Sequence, residues 1–425
     1  MTPSGGIKRS RDEKDETSIV KRVRFAHSVS STSSIYLSIA TNVDQVEAQK
    51  LKWFGPTFTY HTFGIDEVIN GYKELNIFVT FNGFDFQALL DVKYKEKEDT
   101  ADDVVSKMLS SLPHDVYLSK DEFAVALSKA AADFTCPPGN CIETYATETV
   151  IQDGEEQLAD KRYFEIYECK LDGNEPAQKL LANLQTLSLW FIEGADAVDV
   201  TDPRWVLYLT YERTKDGSGP FCPVGFITVF KFCSPLGRKA AYCKSDQNKT
   251  RRICQALVFP TYQRQGHAER LVHCIHAQAM SNSGVYELTV EDPVPGFSCL
   301  RDLVDLKNCV KHDFFCLAPE QSTDAGGTGR GTATLTIADI HAVQRILKLT
   351  RKQVQTCYEA RKLMFVDLND EIQRKKYRLE VKKRLYRMYT EELDGMSDAE
   401  CRKAFLETEY KRLEGHYQQM ALKLT

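Results

Sequence analysis

No window of this 425-residue chain holds enough consecutive apolar residues to cross a bilayer, and the N-terminus is basic and polar where a secretory leader would be apolar. A soluble, intracellular protein with no membrane partner is expected. A dominant charge is missing as well: 55 basic residues stand against 60 acidic ones, for a net charge of -5. That balance excludes the broad basic footprint of a nucleic-acid binder, but it leaves room for a basic partner where acids cluster. The 13 cysteines suggest no metal or disulfide framework. They are odd in number and scattered, and the closest pair, Cys136 and Cys141, has no second Cys or His pair at zinc spacing. Reduced thiols and no metal are expected. A phosphate-loop ending is absent too. The segment STDAGGTGRGT (Ser322–Thr332) has the glycines but neither a Gly-Lys-Ser/Thr ending nor a strand leading in. It reads as part of a flexible linker over residues 321–335.

What is present points to two or three domains, with 42% hydrophobic residues to build their cores. Residues 1–34 are Ser-rich, charged and poor in aliphatics, and are expected to be disordered. Their two basic clusters, Lys8–Arg11 and Lys21–Arg24, have the layout of a bipartite nuclear import signal. Residues 35–160 read as a mixed α+β domain. In it Asn82-Gly83 separates two apolar runs as a hairpin turn would, and Ser119 with Glu122 forms a capping box. Residues 161–320 alternate strands and helices, the pattern of an α/β sheet layer with helices on its faces. From about Thr336 to Thr425 glycine and proline nearly vanish, so residues 336–425 read as a helical domain. Its basic run Arg374–Arg387 is expected to be a solvated helix face, with Tyr377, Leu385 and Tyr386 inward.

Within the α/β layer, Gln255–Ala277 runs from apolar strand to polar turn to amphipathic helix. A loop entering a helix in this way offers unpaired N–H groups and the positive end of a helix dipole to an anion. Small residues are needed where backbone meets phosphate, which singles out Gly266 and Ala268, and Arg264 adds a charge. His267 reads as an orienting or packing side chain. Downstream, Glu291 and Asp292 precede Pro293 at the end of an apolar strand, at the rim where ligands of open α/β sheets gather. Upstream, Glu193 ends an apolar helix, and Asp196, Asp199 and Asp202 follow. Acids at a helix C-terminus oppose its dipole, so this cluster has no simple stabilising reason.

Together these elements resemble the GNAT acetyltransferase superfamily, whose coenzyme loop is similar to Tyr262–Leu271. Within it, Phe63–Leu75, Leu189–Trp205, GFITVFKF, QGHAERL, LTVEDPVPGFSCLRDLVDL and YRLEVKKRLYR resemble the catalytic subunit of type B histone acetyltransferases. The resemblance runs discontinuously from Trp53 to Arg387 and leaves out Ser234–Thr250. It implies a GNAT-type mixed sheet flanked by helices, with acetyl-CoA as cosubstrate and no metal. Ala256, Leu257 and Val258 would hold the pantetheine arm through their backbones, and a backbone N–H near Leu257 would polarise the thioester carbonyl. Gln263, Arg264, Gln265, Gly266, His267, Ala268 and Glu269 would wrap the pyrophosphate. Glu291 and Glu193, assisted by Asp292, would take the lysine proton. The implied substrate is the tail of newly made histone-4, met by Asp66, Glu67, Asp196, Asp199 and Asp202, with Phe230, Lys231 and Phe232 along its stem. A WD-repeat histone-binding chaperone is the implied partner, and nucleus and cytoplasm the implied locations. An acetyltransferase for another protein or amine, or a non-catalytic histone-binding scaffold, would keep the same fold.

Overall fold

The computed structural model describes residues 27–48, 50–153, 156–215, 217, 219–234, 248–315 and 335–424. The two basic clusters, the glycine-rich segment 322–332 and residues 235–247 lie outside that set. Residues 27–34, part of the stretch expected to be disordered, have a defined structure. Ser28–Ser30 pairs with Val68–Asn70, and Ser31–Ser34 forms a single helical turn. The Ser31 hydroxyl donates to the Glu67 carbonyl at 2.8 Å and lies 2.6 Å from Thr59 Oγ1, and Ser34 donates to the Ser30 carbonyl at 2.8 Å. Serine-rich composition suggests solvent, but each hydroxyl here has traded water for a fixed acceptor.

Strands β1 (Ile35–Ala40), β2 (Asn76–Asn82), β3 (Ala88–Lys93) and β4 (Val116–Tyr117) form a sheet in that order. The β2–β3 hairpin forms where Asn82-Gly83 predicts it, but Phe81 pairs with Ala88, so the loop is wider than two residues. Phe86, at φ 60°, takes the left-handed conformation. Gly83 is there for space: a Cβ would sit 2.8 Å from the Thr41 methyl. Helix α1 (Lys120–Asp133) covers this sheet with Phe123 and Leu127, and Ser119 caps it by accepting from the Glu122 N–H.

The larger sheet has six strands: β5 (Asn140–Asp153), β6 (Glu156–Lys170), β7 (Trp205–Arg213), β8 (Cys222–Cys233), β9 (Lys249–Val258) and β10 (Val285–Val290). They lie side by side in chain order, antiparallel except for the parallel pair β9–β10. The sheet therefore takes in β5, which precedes the start at residue 161 expected for this layer. Alternation sorts its side chains between two cores. Leu207, Leu209, Phe226 and Leu257 face helix α2 (Glu175–Phe191) and the β1–β3 sheet, in one continuous core with Leu184, Trp190, Val79 and Phe81. Val206, Tyr208 and Ile227 face helices α3 (His267–Ser281) and α4 (Pro295–Lys311), packing on Leu271, Ile275 and Val304.

The C-terminal region is helical, as expected: α5 (Ile337–Leu347), α6 (Arg351–Leu363), α7 (Glu371–Met388) and α8 (Ala399–Leu424). They bury Val343, Val354, Tyr377, Val381, Leu385 and Tyr417 against Leu306 and Cys309 of α4. Tyr386 is the exception to the expected inward set, at 47% exposed. The buried stripe of α7 is Tyr377, Val381 and Leu385, at a spacing of four, and Tyr386 lies about 100° further round. No described helix is long and apolar enough to cross a membrane.

Candidate active site

The β9–β10 ladder ends early. Its last pair is Ile253 with Val290, closed by the Glu291 N–H donating to the Ile253 carbonyl at 2.9 Å, while β9 runs on to Val258 with no strand on that side among the described residues. On its other side β9 stays paired with β8, and the Phe259 N–H donates to the Val224 carbonyl at 2.9 Å. Antiparallel alternation then turns the peptide groups of Leu257 toward Phe226, and those of Ala256 and Val258 toward the open edge. This corrects one expectation: Leu257 is committed to the sheet, and its two neighbours present their backbones. The close β8–β9 approach depends on Gly225, where a Cβ would lie 2.4 Å from the Leu257 carbonyl oxygen.

Beyond the edge, a turn at Pro260–Tyr262 leads into α3. Gly266 is the N-cap of that helix at φ 86°, a left-handed conformation that glycine adopts freely. A glycine cap has no side chain to satisfy the first-turn N–H groups, so those of His267, Ala268 and Glu269 point outward, and nothing lies within 4 Å of where a Cβ would be. Arg264 is exposed and also left-handed, at φ 64°. Gln263 Nε2 donates to the Val258 carbonyl at 2.9 Å, and Gln265 Oε1 accepts from Arg162 at 3.0 Å. Arg162 forks onto Glu212 through two 2.6 Å bonds, and the Tyr262 hydroxyl donates to the same carboxylate at 2.8 Å. The loop is thus pinned to β6 and β7, and its glutamines act on the loop itself. Glu269, an acid within this turn, is neutralised by Lys307 at 2.5 Å. A cavity of 320 Å³ opens beside it, lined by Gly266, Glu269, Arg270, His273, Lys307 and Tyr145 among others.

His267 is a packing residue, as its sequence context suggests. It is buried, 2.8 Å from the Tyr145 hydroxyl through Nδ1 and 4.5 Å from the Phe164 ring centroid. Burial, helped by the Arg162 charge and opposed by Glu212, pushes its pKa down to about 4.

The carboxylates flank the same stretch of β9. Glu291 lies just past β10, with Oε1 3.4 Å from Arg252 Nη1. Burial and that neighbouring carboxylate push the Cys254 thiol up to about 12. From the opposite direction, the loop after α2 reaches the next residue: Gln255 Nε2 donates to the Asp196 carbonyl at 3.0 Å, and its Oε1 accepts from Ser188 at 3.1 Å. Glu193 and Asp196 are exposed in that loop, which is tied down by the Tyr60 hydroxyl accepting from the Gly194 N–H at 3.1 Å. Asp292 is exposed at φ 32°. Gln255, which ties α2 and its following loop to β9, carries no signal in sequence, because both its partners are more than fifty residues away.

An open strand edge, a helix N-terminus without a side-chain cap and exposed carboxylates thus meet around one end of the sheet. Residues 27–193 match the family described as Histone acetyl transferase HAT1 N-terminus. The histone acetyltransferase type B catalytic subunit of Kluyveromyces lactis is 31% identical over 91% of this chain and 91% of its own. That of Rattus norvegicus is 29% identical over 88% of this chain and 83% of its own, and that of Homo sapiens 27% over the same shares. The chain belongs to this family. It is a histone acetyltransferase built on a mixed sheet flanked by helices. Among solved structures, an xEco2 acetyltransferase domain bound to a CoA conjugate is 17% identical and covers 37% of this chain and 92% of its own, at a TM-score of 0.23, too low to carry an argument.

For a histone acetyltransferase the acidic residues matter individually, and the structure divides them. Glu67 is spent on its own loop, accepting from the Thr59 N–H and, at 3.0 Å, from the Thr59 hydroxyl. Asp199 caps a turn at Thr201, and Asp202 is held by the Arg204 guanidinium at 2.6 Å. Glu67 and Asp202 are therefore not free to receive a basic tail, whereas Asp66, Asp196 and Asp199 are exposed. Phe230 and Phe232 stack with centroids 6.1 Å apart, under Arg204 and Arg252 respectively. Lys231 alternates to the opposite face, where burial and then Arg251 lower its pKa, so it is not part of their wall. Among the described residues no His, Cys, Asp and Glu group has the arrangement of a metal site.

Proposed function

We propose that this acetyltransferase takes acetyl from acetyl-CoA and delivers it to lysines in the N-terminal tail of newly made, non-nucleosomal histone-4. The carrying observation is the rim itself: Glu291 leaves β10 where β9 continues paired to β8 alone, so a carboxylate stands beside the unpaired edge of that strand.

The residues present fit the coenzyme. The outward peptide groups of Ala256 and Val258 suit an amide-bearing arm laid along the edge as an extra strand. The N–H groups of His267, Ala268 and Glu269 suit a pyrophosphate, and Gly266 leaves it room. Gln263 and Gln265 hold that turn through their side chains, and Arg264 shapes it through its left-handed backbone. Acetyl-CoA supplies an activated acetyl thioester. The chain must supply a neutral amine, because a lysine near neutral pH holds its proton by about 4 kcal/mol. Glu291 receives that proton and Arg252 keeps its carboxylate in place. Glu193 borders the same stretch from the other side, and Asp292 adds charge beside it. An edge N–H at Ala256 or Val258 polarises the acyl oxygen. Asp66 and Asp196 draw in the basic tail, and the Phe230–Phe232 stack gives its stem an apolar wall.

The test is Glu291→Gln. Turnover on a histone-4 tail peptide should fall by roughly 10²- to 10⁴-fold while calorimetry shows nearly unchanged acetyl-CoA affinity. Turnover close to the parent value would remove Glu291 from the mechanism, and equal use of polyamines would remove the histone-4 assignment. The same reading gives the enzyme a WD-repeat histone-binding chaperone as partner and residence in both nucleus and cytoplasm. Its support is the type B family and the two basic clusters ahead of His27; co-purification and imaging of a tagged chain examine these assignments.

A further inference from the structure

A second cluster of chemically active side chains lies where α4 meets α8. Cys299, on the second turn of α4, is exposed, and its Sγ is 3.5 Å from His416 Nδ1 of α8. The other ring nitrogen, His416 Nε2, is 2.8 Å from Asp302 Oδ2, one turn along α4 from the cysteine. Asp302 Oδ1 in turn accepts from Gln353 Nε2 of α6 at 2.8 Å. The chain of contacts is ordered. Gln353 aims the carboxylate, and the carboxylate holds the Nε2–H tautomer of the imidazole. Nδ1 is then left as the lone-pair acceptor for the thiol proton. Cys299 and Asp302 meet opposite nitrogens of one ring, so the three cannot converge on an ion. The acetyl-transfer scheme uses none of them.

We propose that Cys299 is an activated thiol, a nucleophile prepared by His416 and positioned by Asp302, and a site of oxidation by hydroperoxides. His416 Nδ1 takes the thiol proton. The thiolate sulfur attacks one peroxide oxygen, forming an S–O bond and breaking the O–O bond. The leaving hydroxide (or alkoxide) takes the proton from the imidazolium and departs as water (or alcohol). Sulfur loses two electrons to the peroxide and becomes a sulfenic acid. The exposed position of Cys299 leaves the approach open, and Cys136 and Cys233, also exposed, provide comparison within the same chain.

The experiment compares three thiols in the intact protein. Limited alkylation with iodoacetamide at neutral pH, read by mass spectrometry, should label Cys299 about tenfold faster than Cys136 and Cys233. Sub-stoichiometric hydrogen peroxide with dimedone should trap sulfenic acid at Cys299 first. His416→Gln, which can still bond Asp302 but is no base, should bring the alkylation rate down to that of the comparison thiols. Asp302→Asn should lower it in part. Unfolding midpoints and acetyltransferase turnover of both variants report whether the fold is intact. If Cys299 reacts no faster than Cys136 and Cys233, or keeps its speed in a folded His416→Gln variant, the activation is overturned. If peroxide oxidises the three thiols alike, the oxidation site is overturned.

Discussion

At the scale of single residues, backbone conformation and burial decide what the site can do. Gly266 sits at φ 86° with open space where a side chain would be. Gly266→Glu would both strain that cap and set a carboxylate among the N–H groups meant for an anion, so calorimetry should show acetyl-CoA binding abolished. His267 leaves a signature in acid. Its pKa is depressed from 6.5 to about 4, so the folded chain favours the neutral ring. That stabilisation is full above pH 6.5 and drains away as pH falls toward 4. His267→Gln should flatten the fall of the unfolding midpoint across that window. Any steeper loss below it belongs to carboxylates held low in the fold, such as Glu212 and Asp305. Residue types foretold the loop and the rim acids, because small residues and strand-ending carboxylates carry their chemistry in their identity. They could not foretell that Glu67 and Asp202 are consumed by Thr59 and Arg204, since an acid looks the same in sequence whether its oxygens are free or spent.

Elements add what single residues cannot. Helix α6 buries Glu359, and α7 and α8 are latched onto it: Arg384 donates to that carboxylate at 2.6 and 2.8 Å, and the Tyr417 hydroxyl donates to it at 3.0 Å. Removing the carboxylate would leave the guanidinium and a buried hydroxyl without their partner. Glu359→Ala should cost about 3 kcal/mol, the low end for a broken buried pair because Arg384 is about one quarter exposed, measurable by urea unfolding. Unbroken apolar runs made β7 and β8 legible, and residues recurring at helical spacing over 17 residues or more did the same for α2 and α7. Strand β5 was not. It lies at the sheet edge with part of its length open to solvent, so its Thr and Glu residues look like loop until β6 is seen beside it.

At the scale of the whole molecule, the C-terminal helices complete the acetyltransferase layer. The Lys348 carbonyl accepts from the Leu288 N–H of β10 at 2.8 Å, and the Leu347 carbonyl lies 2.6 Å from the buried His276 of α3. Leu306, Cys309, Phe314 and Phe315 have their core on that side. A chain ended at residue 334 would expose those side chains and the edge of β10 together. It should elute as aggregates in size-exclusion chromatography where the full chain gives a defined species. A helical C-terminal region was readable from its composition. Its role in closing the sheet was not, because that role rests on backbone carbonyls, which every residue possesses.

The missing ladder beyond Ile253 has a consequence for the protein's own safety. Unpaired strand edges invite other chains, and most proteins shorten, cover or charge them. This one must stay uncovered, yet it is only a few residues long and bordered by the acidic stretches around Asp196 and Glu291. A neighbouring molecule's strand would have to approach past those carboxylates. A slender, flexible occupant can enter where a folded sheet cannot. The shape that admits a donor to the enzyme thus also keeps one copy of the enzyme from stitching itself to the next.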